Sequence, residues 1–518
     1  MKTTFLSLFF AVSASIPLPA EAPPPVLSDH AAARLLDQAT WGPTPESIAQ
    51  LQQMGIQAWL AAQFAATPSD LPDQPILAAN GMSNNNLSPV QAAFFQNAVS
   101  GPDQLRQRVA FALSEIWVVS AVTTKPAYAY PPYWRIFRDN AFGNYADIIR
   151  AVTSNPAMGN FLNMANNNKG NTANGTAPNE NYARELMQLF AIGLTQLNPN
   201  GTPVLTNNSP ATTYTQTDVT NVSRMLTGWT YPTAPGATMK SNNPAYYFGP
   251  MIAVAANHDT TAKTVLGVQV PAGQSAQGDL DSLITILMAQ PSMAPFICQQ
   301  LIEHLVTSNP SGDYIARVSL VFLDNGSGVR GDMKAVITAI LTDPEARAAD
   351  DPSVPLKPAF GHMREPILFM TNILRGLNAS LASSAVPQNA ANNLGQNLFN
   401  APSVFSYFSP QARTGGILAP EFQIYSTQTA TNRADTIYNA VYSTLDSGTK
   451  VDLTPFVQKA TSAASLIDYI SYAFFHHSMS TALQSAITSA LTPDTTPLSM
   501  VQSALFVALT SGEYQIIQ

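Results

Sequence analysis

The sequence predicts a mostly α-helical protein, built as a large multi-helical domain with long ordered loops and a small non-helical insertion. Apolar residues recur at three- and four-residue spacing through most of the chain, as on one face of a helix. No segment shows the sustained alternation of apolar and polar residues that is typical of a half-buried strand. Hydrophobic residues make up 46% of the 518 residues, which is sufficient for a large core.

The N-terminus has the pattern of an export signal. Lys2 precedes an apolar run at residues 5–16, and residues 20–22 (Ala-Glu-Ala) supply a small-x-small cleavage site. We therefore expect residues 1–22 to be a signal peptide and the protein to be exported to the periplasm, the cell surface or the medium. No second apolar run of about 18 residues follows. We expect residues 23–518 to form a single large helical domain without a transmembrane anchor.

Two early helices follow from capping and periodicity. Ser28 or Asp29 is suited to cap a first helix that continues through Leu36. The strongest amphipathic pattern covers residues 103–120. Glu115 interrupts the apolar stripe of that second helix, so we expect a buried carboxylate that needs a partner.

Two later segments lose the helical period. Residues 232–277 favour short strands or a structured loop, and we interpret them as a non-helical insertion. Residues 387–422 are rich in Asn, Ser, Pro and aromatic residues, which predicts a long ordered loop. Loops of this length in a compact domain are often functional.

The most distinctive stretch is residues 178–193. It concentrates Glu180, Tyr182, Arg184 and Glu185 in a chain with only 11% charged residues. Apolar residues at helical spacing predict a helix that Asn179 or Asn181 caps and Gly193 stops. Glu180 and Arg184 lie one turn apart and are expected to pair, either as a structural clamp or as part of a site. The Asn-rich residues 160–179 before this helix are predicted to form a lid.

Several motifs along the chain resemble a known family. They are residues 33–36 (ARLL), 39–44 (ATWGPT), 179–186 (NENYAREL), 214–219 (YTQTDV), 226–229 (LTGW), 258–259 (HD), 263–267 (KTVLG), 331–334 (GDMK), 364–366 (REP) and 419–422 (APEF). Together they resemble the bacterial exported family catalogued as domain of unknown function eighteen-hundred. The resemblance implies an exported, helix-rich protein and supplies no catalytic residue. Members commonly lie beside genes for an exported sulfatase-like family, which suggests such a partner.

Composition and missing motifs exclude several classes of function. The formal net charge of −8 and the lack of a basic block argue against a nucleic-acid partner. Cys298 is the only cysteine, so the chain has no internal disulfide. There is no His-Glu-x-x-His, no Gly-x-Ser-x-Gly and no Gly-x-x-x-x-Gly-Lys, which disfavours a zinc protease, an α/β serine hydrolase and a P-loop enzyme.

The remaining pattern favours a glycan-active enzyme, because carboxylates beside aromatic side chains suit sugar chains. Glycoside hydrolysis uses two carboxyl groups. The predicted catalytic residues are Glu180, Glu185, Asp218 and Asp259. The predicted substrate-binding residues are Tyr182, Arg184, Trp229, His258 and Lys263. We call these nine residues the predicted site.

Three functions stay open at this point. The first is a glycoside hydrolase or polysaccharide lyase that acts on a polysaccharide or oligosaccharide. The second is a non-enzymatic glycan-binding or cell-surface assembly protein. The third is a metal-dependent enzyme, in which His258 and Asp259 join Glu180 or Glu185 around a divalent cation that prefers oxygen ligands. The sequence itself requires no cofactor.

Overall fold

The computed structural model describes residues 27–492 and 496–518. Helices dominate the described residues, and each of their strands is only two or three residues long. The predicted mostly α, multi-helical class with a small non-helical insertion is therefore confirmed. The predicted signal peptide, residues 1–22, lies outside the described residues.

The first part of the fold is a group of packed helices. These helices are α1 (Asp29–Ala39), α2 (Pro45–Met54), α3 (Ile56–Ala65), α4 (Ser88–Ser100), α5 (Gln104–Ile116), α6 (Tyr130–Asn140), α7 (Tyr145–Thr153) and α8 (Pro156–Phe161). Ser28 caps α1 as predicted, since its side chain accepts a hydrogen bond from the Ala31 N–H. The predicted amphipathic helix is α5, which ends at Ile116 and is buried along most of its length.

The stretch around Glu180 forms a short helix, α9 (Asn181–Gln188), and α10 (Gln216–Met225) follows it. The helix ends at Gln188, five residues before the predicted stop at Gly193, which lies in the turn that follows. The Gly193 backbone has a φ of +70°, in the left-handed region that favours glycine, and its N–H donates to the Met187 carbonyl at 3.0 Å. The Phe296 ring lies so close that a Cβ on Gly193 would be 2.8 Å from it.

The second half of the chain returns to helices. These are α11 (Ala276–Met288), α12 (Met293–Leu305), α13 (Gly312–Leu323), α14 (Met333–Thr342), α15 (Pro344–Arg347), α16 (Pro366–Gly376), α17 (Pro387–Asn393), α18 (Thr427–Tyr442), α19 (Thr454–Lys459), α20 (Ala463–Phe475), α21 (Thr481–Ala490) and α22 (Pro497–Thr510). The segment predicted as a loop at residues 387–422 thus begins with a helix. Single 3-10 turns occur at Ala127–Ala129, Thr172–Asn174, Ala255–Asn257, Ala348–Asp350 and Pro420–Ile424.

The strands of the described residues pair in antiparallel twos. They are β1 (Leu205–Thr206), β2 (Ser209–Pro210), β3 (Trp229–Thr230), β4 (Ile252–Ala253), β5 (Lys263–Val265), β6 (Val268–Val270), β7 (His362–Met363), β8 (Ser380–Leu381), β9 (Arg413–Thr414), β10 (Ile417–Leu418), β11 (Thr449–Lys450) and β12 (Ile516–Ile517). The non-helical insertion contains β4 and the β5–β6 hairpin. Two pairs join distant segments: β8 pairs with β11, and β7 pairs with β12.

A continuous apolar core runs through both halves of the chain. Helix α5 lies inside it and packs against α3, α6 and α12. The fully buried Trp41, Trp117 and Trp134 belong to this core. Because α5 is surrounded on most sides, any polar side chain on it must find its partners in the interior.

No single helix in the described ranges is both long and apolar enough to cross a membrane. Helices α11 and α12 reach the required length and composition only together, and they are bent by 78° against each other.

Candidate functional site

The start of α9 carries the predicted ion pair. Arg184 Nη2 lies 3.1 Å from Glu180 Oε2, so the expected pairing is confirmed. Asn179 Oδ1 accepts a hydrogen bond from the Asn181 N–H at 2.9 Å, which is the role predicted for an asparagine at this point. The Glu180 and Arg184 side chains are about one-third exposed, so solvent reaches this end of the helix.

Helix α10 supplies further donors to Glu180. Thr220 Oγ1 donates to Glu180 Oε1 at 2.8 Å, and Gln216 Nε2 donates to Oε2 at 2.8 Å. Both carboxylate oxygens are therefore bound within the protein. Glu180 joins α9 to α10, as a structural clamp would.

Asp218 and Glu185 have different surroundings. Asp218 forms a capping box with Thr215 at the start of α10, and its Oδ1 accepts from the Leu266 N–H at 2.8 Å. These hydrogen bonds outweigh burial and lower the pKa of Asp218. Burial raises the pKa of Glu185, and its Oε2 has no hydrogen-bond partner in the protein. Glu185 is thus the predicted catalytic residue whose carboxyl group is least engaged.

The two aromatic members of the predicted site lie in the core. Tyr182 is buried, and its hydroxyl shares a hydrogen bond of 2.6 Å with Thr153 Oγ1. Trp229 is buried on β3. Neither ring presents a face to solvent.

The sequence analysis missed Asp279 on α11, which contacts two members of the predicted site, His258 and Lys263. Lys263 Nζ lies 2.7 Å and His258 Nε2 3.2 Å from Asp279 Oδ2. Asp259 instead accepts from Arg224 Nε at 2.9 Å. Although burial opposes ionisation, the bonds from Arg224 and from neighbouring donors lower the pKa of Asp259 to about 2.

The predicted site therefore divides into a partly exposed group on α9 and α10 and a buried group at the insertion. Within residues 27–492 and 496–518, no three His, Cys, Asp or Glu side chains are placed to ligate a metal ion together. His258 and Asp259 accordingly do not form such a group with Glu180 or Glu185. The catalytic and substrate-binding roles of the nine residues stay predictions.

A second set of polar residues lies in the interior. We call it the buried glutamate cluster: Arg108, Glu115, His304, His362, Glu365, Gln396 and Glu421. Helix α5 contributes two of its members and α12 contributes one. The others come from β7, the start of α16 and the long loop after α17.

The centre of the cluster is a carboxyl pair. Glu115 and Glu365 are both buried and share one hydrogen-bond donor. The Gln396 amide donates to Glu115 Oε1 at 3.0 Å and also to Glu365 Oε2. Burial and the neighbouring Glu365 carboxylate raise the pKa of Glu115 well above its usual range. Both effects favour the protonated form of Glu115.

Arg108 and His304 lie next to this pair. The fully buried Arg108 donates through Nη2 to the His304 carbonyl at 2.5 Å, while its Nε and Nη1 have no hydrogen-bond partner in the protein. His304 Nδ1 lies 3.5 Å from Glu115 Oε2. Burial and the charge on Arg108 lower the pKa of His304 to about 3. The imidazole is thus neutral, although 22% of its side chain is exposed.

A further carboxyl group completes the cluster. Glu421 Oε1 lies 3.2 Å from His362 Nδ1, and both side chains are more than nine-tenths buried. His362 Nε2 and Glu421 Oε2 have no other hydrogen-bond partner in the protein. Nearby, burial raises the pKa of Glu303 to about 8, and the negative Glu421 adds to that shift. The cluster therefore combines protonated acids with unsatisfied polar atoms.

A narrow cavity of about 30 Å³ adjoins Glu115. That volume accommodates about two water molecules. Aromatic and apolar side chains form most of its wall, and they are Phe111, Val118, Val119, Tyr133, Trp134, Phe137, Leu398, Phe399 and Tyr407. Three of these belong to the segment predicted to be a long ordered loop. The cavity thus places aromatic faces beside a buried carboxyl group whose pKa is raised.

A buried ion pair lies next to the cluster. Arg364, next to Glu365, binds Asp37 of α1 through two hydrogen bonds of 2.8 Å. Burial alone would raise the pKa of Asp37, but Arg364 and His476 hold it well below its usual range. This pair fixes the strand that carries the cluster.

Sequence reasoning found only fragments of the cluster. It identified Glu115 as a buried carboxylate in need of a partner, and Arg364-Glu365-Pro366 as a family-like motif. It attached no role to Arg108, Gln396 or Glu421. Such residues are ordinary in composition, and only the fold brings them together.

A family model described as "Protein of unknown function (DUF1800)" matches residues 34–516. No curated protein and no solved structure matches the chain.

Proposed function

We propose that this chain, which belongs to the DUF1800 family of proteins of unknown function, is a glycan hydrolase whose acid and base are carboxyl groups of the buried glutamate cluster. The observation that carries the proposal is the buried pair of Glu115 and Glu365, joined by the Gln396 amide, beside an aromatic-lined cavity. Buried carboxyl groups with raised pKa values are typical of catalytic sites, where one of them serves as a general acid.

The chemistry assigns different roles to the carboxyl groups. Glu115 donates its proton to the leaving oxygen of the glycosidic bond. Glu365 binds the same Gln396 amide nitrogen as Glu115, so we assign the two one shared role rather than opposite sides of a sugar ring, where carboxyl separations of about 5–10 Å are needed. Glu365 therefore holds the proton on Glu115, and Glu421 serves as the second carboxyl group.

Histidine and arginine position these groups. His362 fixes Glu421 through their 3.2 Å contact. The buried charge of Arg108 acts on Glu115, Glu365 and Glu421 alike. Developing negative charge on the leaving oxygen is stabilised best by donors that are already fixed in a dry site, and Arg108 has two such N–H groups without a protein partner.

The size of the cavity sets a condition on this function. A space of about 30 Å³ does not hold a sugar ring. Residues 398–407 form one wall, so this segment must move to admit a substrate. Its exposed Phe405 side chain lies at the surface of that wall segment.

The test is a comparison of two conservative variants on a panel of polysaccharides, with released reducing ends as the readout. We expect the unmodified protein to release reducing ends, Glu115→Gln to lose at least a hundredfold in rate, and Glu180→Gln to stay within a few-fold. Ultraviolet absorbance from an unsaturated sugar would indicate a lyase instead. If Glu180→Gln or Glu185→Gln abolishes turnover while Glu115→Gln does not, the predicted site is the active one and our assignment is wrong.

A second candidate is a non-enzymatic glycan-binding or cell-surface assembly protein. It is supported by the predicted site, where Glu180 and Asp259 are each bound to an arginine. Retained binding to one polysaccharide without turnover on any would favour this function.

Export and partner follow from the sequence pattern and the resemblance. We propose that the protein acts outside the cytoplasm on a polysaccharide, alongside an exported sulfatase-like partner. Fractionation of producing cells tests the first point. Co-purification with that partner, compared with an unrelated exported protein, tests the second.

A further inference from the structure

We propose that Lys263 and Asp279 are joined by an intramolecular amide bond, which forms without an enzyme once the chain has folded. The inference concerns the β5–β6 hairpin and α11, and it is independent of the proposed function. It rests on the arrangement of four side chains at the buried end of the insertion: Lys263, Asp279, His258 and Asp259.

The reacting groups are already in contact. Lys263 Nζ lies 2.7 Å from Asp279 Oδ2, and the two side chains are 1% and 0% exposed. The amine is held from a second direction, because it donates to the Asp259 carbonyl oxygen. Two groups fixed in this way react as if at very high concentration, with effective molarities of about 10⁵–10⁸ M in well-oriented cases.

The reaction needs the uncharged forms of both groups. A charged amine and a carboxylate lose their hydration in the interior, and the pair recovers that loss only if further hydrogen bonds satisfy it. Asp279 Oδ1 has no hydrogen-bond partner in the protein. Transfer of a proton from the amine to the carboxyl group leaves a neutral nucleophile beside a neutral acid.

His258 supplies the proton relay. Its Nδ1 lies 2.9 Å from the Thr227 carbonyl oxygen, which accepts a hydrogen bond, so Nδ1 carries a proton. Its Nε2 faces Asp279 Oδ2 at 3.2 Å and has no hydrogen-bond partner in the protein, so its lone pair is placed to take up a proton there. Asp259 Oδ1 lies 4.0 Å from Lys263 Nζ, on the other side of the amine.

The reaction is a condensation that needs no co-reactant. The lone pair of Lys263 Nζ attacks Asp279 Cγ, and the C–O bond to Oδ2 breaks. Oδ2 leaves as water with one proton from the carboxyl group and one from the amine. Asp279 Oδ1 remains as the carbonyl oxygen of the new amide.

The bond gives the insertion a covalent tie that cysteine does not supply. The chain has one cysteine, which is buried and unpaired. A cross-link between the hairpin and α11 restricts the unfolded chain in the way a disulfide does, but it withstands reducing conditions.

Intact mass spectrometry of the purified full chain tests the proposal. We expect a mass about 18 Da below that of the linear chain, the mass of one water. A tryptic digest is expected to contain a branched peptide that joins the segments around Lys263 and Asp279, without cleavage after Lys263. Lys263→Met and Asp279→Ala are expected to restore the full mass.

Lys240→Met is the matched control, because Lys240 is an exposed lysine of the same insertion. It should keep the mass deficit and the branched peptide. A folded wild-type protein with the full linear mass, or with cleavage after Lys263, overturns the proposal, whether or not the variants fold. A mass deficit that maps to any other pair of residues overturns it as well.

Discussion

The carboxyl groups of the predicted site have many hydrogen-bond donors around them, whereas those of the buried glutamate cluster have few. In the predicted site, Glu180 and Asp259 each bind an arginine and also accept hydrogen bonds from hydroxyl or amide donors. In the cluster, Glu115 and Glu365 share one amide donor, Gln396. Carboxylates with many donors are poor acids and poor bases, whereas a carboxyl group deprived of donors keeps its proton and can deliver it.

The contrast separates two kinds of sequence signal. A dense run of charged residues is conspicuous, and dense charge usually provides its own partners. A lone carboxylate in an apolar helix is inconspicuous, and its partner must come from far away in the chain.

The largest effect is expected when the buried ion pair of Arg364 and Asp37, next to the cluster, is broken. Arg364→Leu leaves Asp37 buried without its cation, and we expect the free energy of unfolding to fall by about 3–5 kcal/mol. Denaturation in urea, followed by circular dichroism, measures it. A loss below about 1 kcal/mol would show that this pair contributes no more than a surface ion pair.

Backbone geometry at the same strand gives the next effect. Gly361 precedes β7 with a φ of +95°, and a Cβ there would lie 2.2 Å from the Ile517 carbonyl oxygen. We expect Gly361→Ala to cost about 2–3 kcal/mol. Gly236→Ala is the control: its φ is +77°, but no atom lies within 4 Å of the added Cβ, so about 1 kcal/mol is expected. Equal losses in the two variants would contradict the close approach of β12.

The free energy of unfolding is expected to change with pH in opposite directions for the two regions. The pKa of Glu303, beside the cluster, is raised from 4.5 to about 8. Its contribution to stability is therefore complete below pH 4.5 and is lost as pH rises through 8. We expect the free energy of unfolding to fall by about 1 kcal/mol per pH unit or less over that range. Glu303→Gln should flatten this slope in urea titrations.

Asp259 of the predicted site should behave in the reverse direction. Its pKa is lowered from 3.8 to about 2, so its contribution is present above pH 3.8 and is lost as pH falls through 2. Asp259→Asn should remove that loss at acid pH and leave the slope between pH 5 and 8 unchanged. The same slope change in both variants would refute the distinction between the regions.

The smallest effect is expected at the start of α9. Arg184→Leu removes a partly exposed pair, and such pairs contribute about 0–1 kcal/mol. The same urea measurement should detect little change, and salt should reduce it further. A loss comparable to that of Arg364→Leu would mean that α9 holds the fold as firmly as the cluster does.

The sequence was sufficient for the class of the fold and for the local features. Capping at Ser28 and the buried stripe of α5 both depend on residues within one or two turns of each other. The end of α9 was predicted at Gly193, but the helix ends at Gln188, and the residues between them form a wider turn that caps it. Local propensity does not separate a cap from one more helical turn.

The buried glutamate cluster could not be predicted from the sequence, because its residues are far apart in the chain. Gln396 reaches Glu115 across a sequence separation of 281 residues, and Arg364 reaches Asp37 across 327. No periodicity or short motif encodes such pairings. The sequence did indicate that the Glu115 carboxylate, on an apolar helix, requires a polar partner. The structure shows which residues provide it.

The pairing of β7 with β12 has a consequence for biosynthesis. Ile517 pairs with His362 and Ile516 with Met363, and the Arg364 N–H donates to the Gln515 carbonyl at 2.7 Å. At a synthesis rate of about 5–20 residues per second, the strand that precedes Glu365 waits roughly 8–30 s for its neighbour. A nascent chain that has reached residue 500 already carries each glutamate of the cluster but not the strand that aligns them. The cluster should therefore take its final arrangement only after β12 has been made.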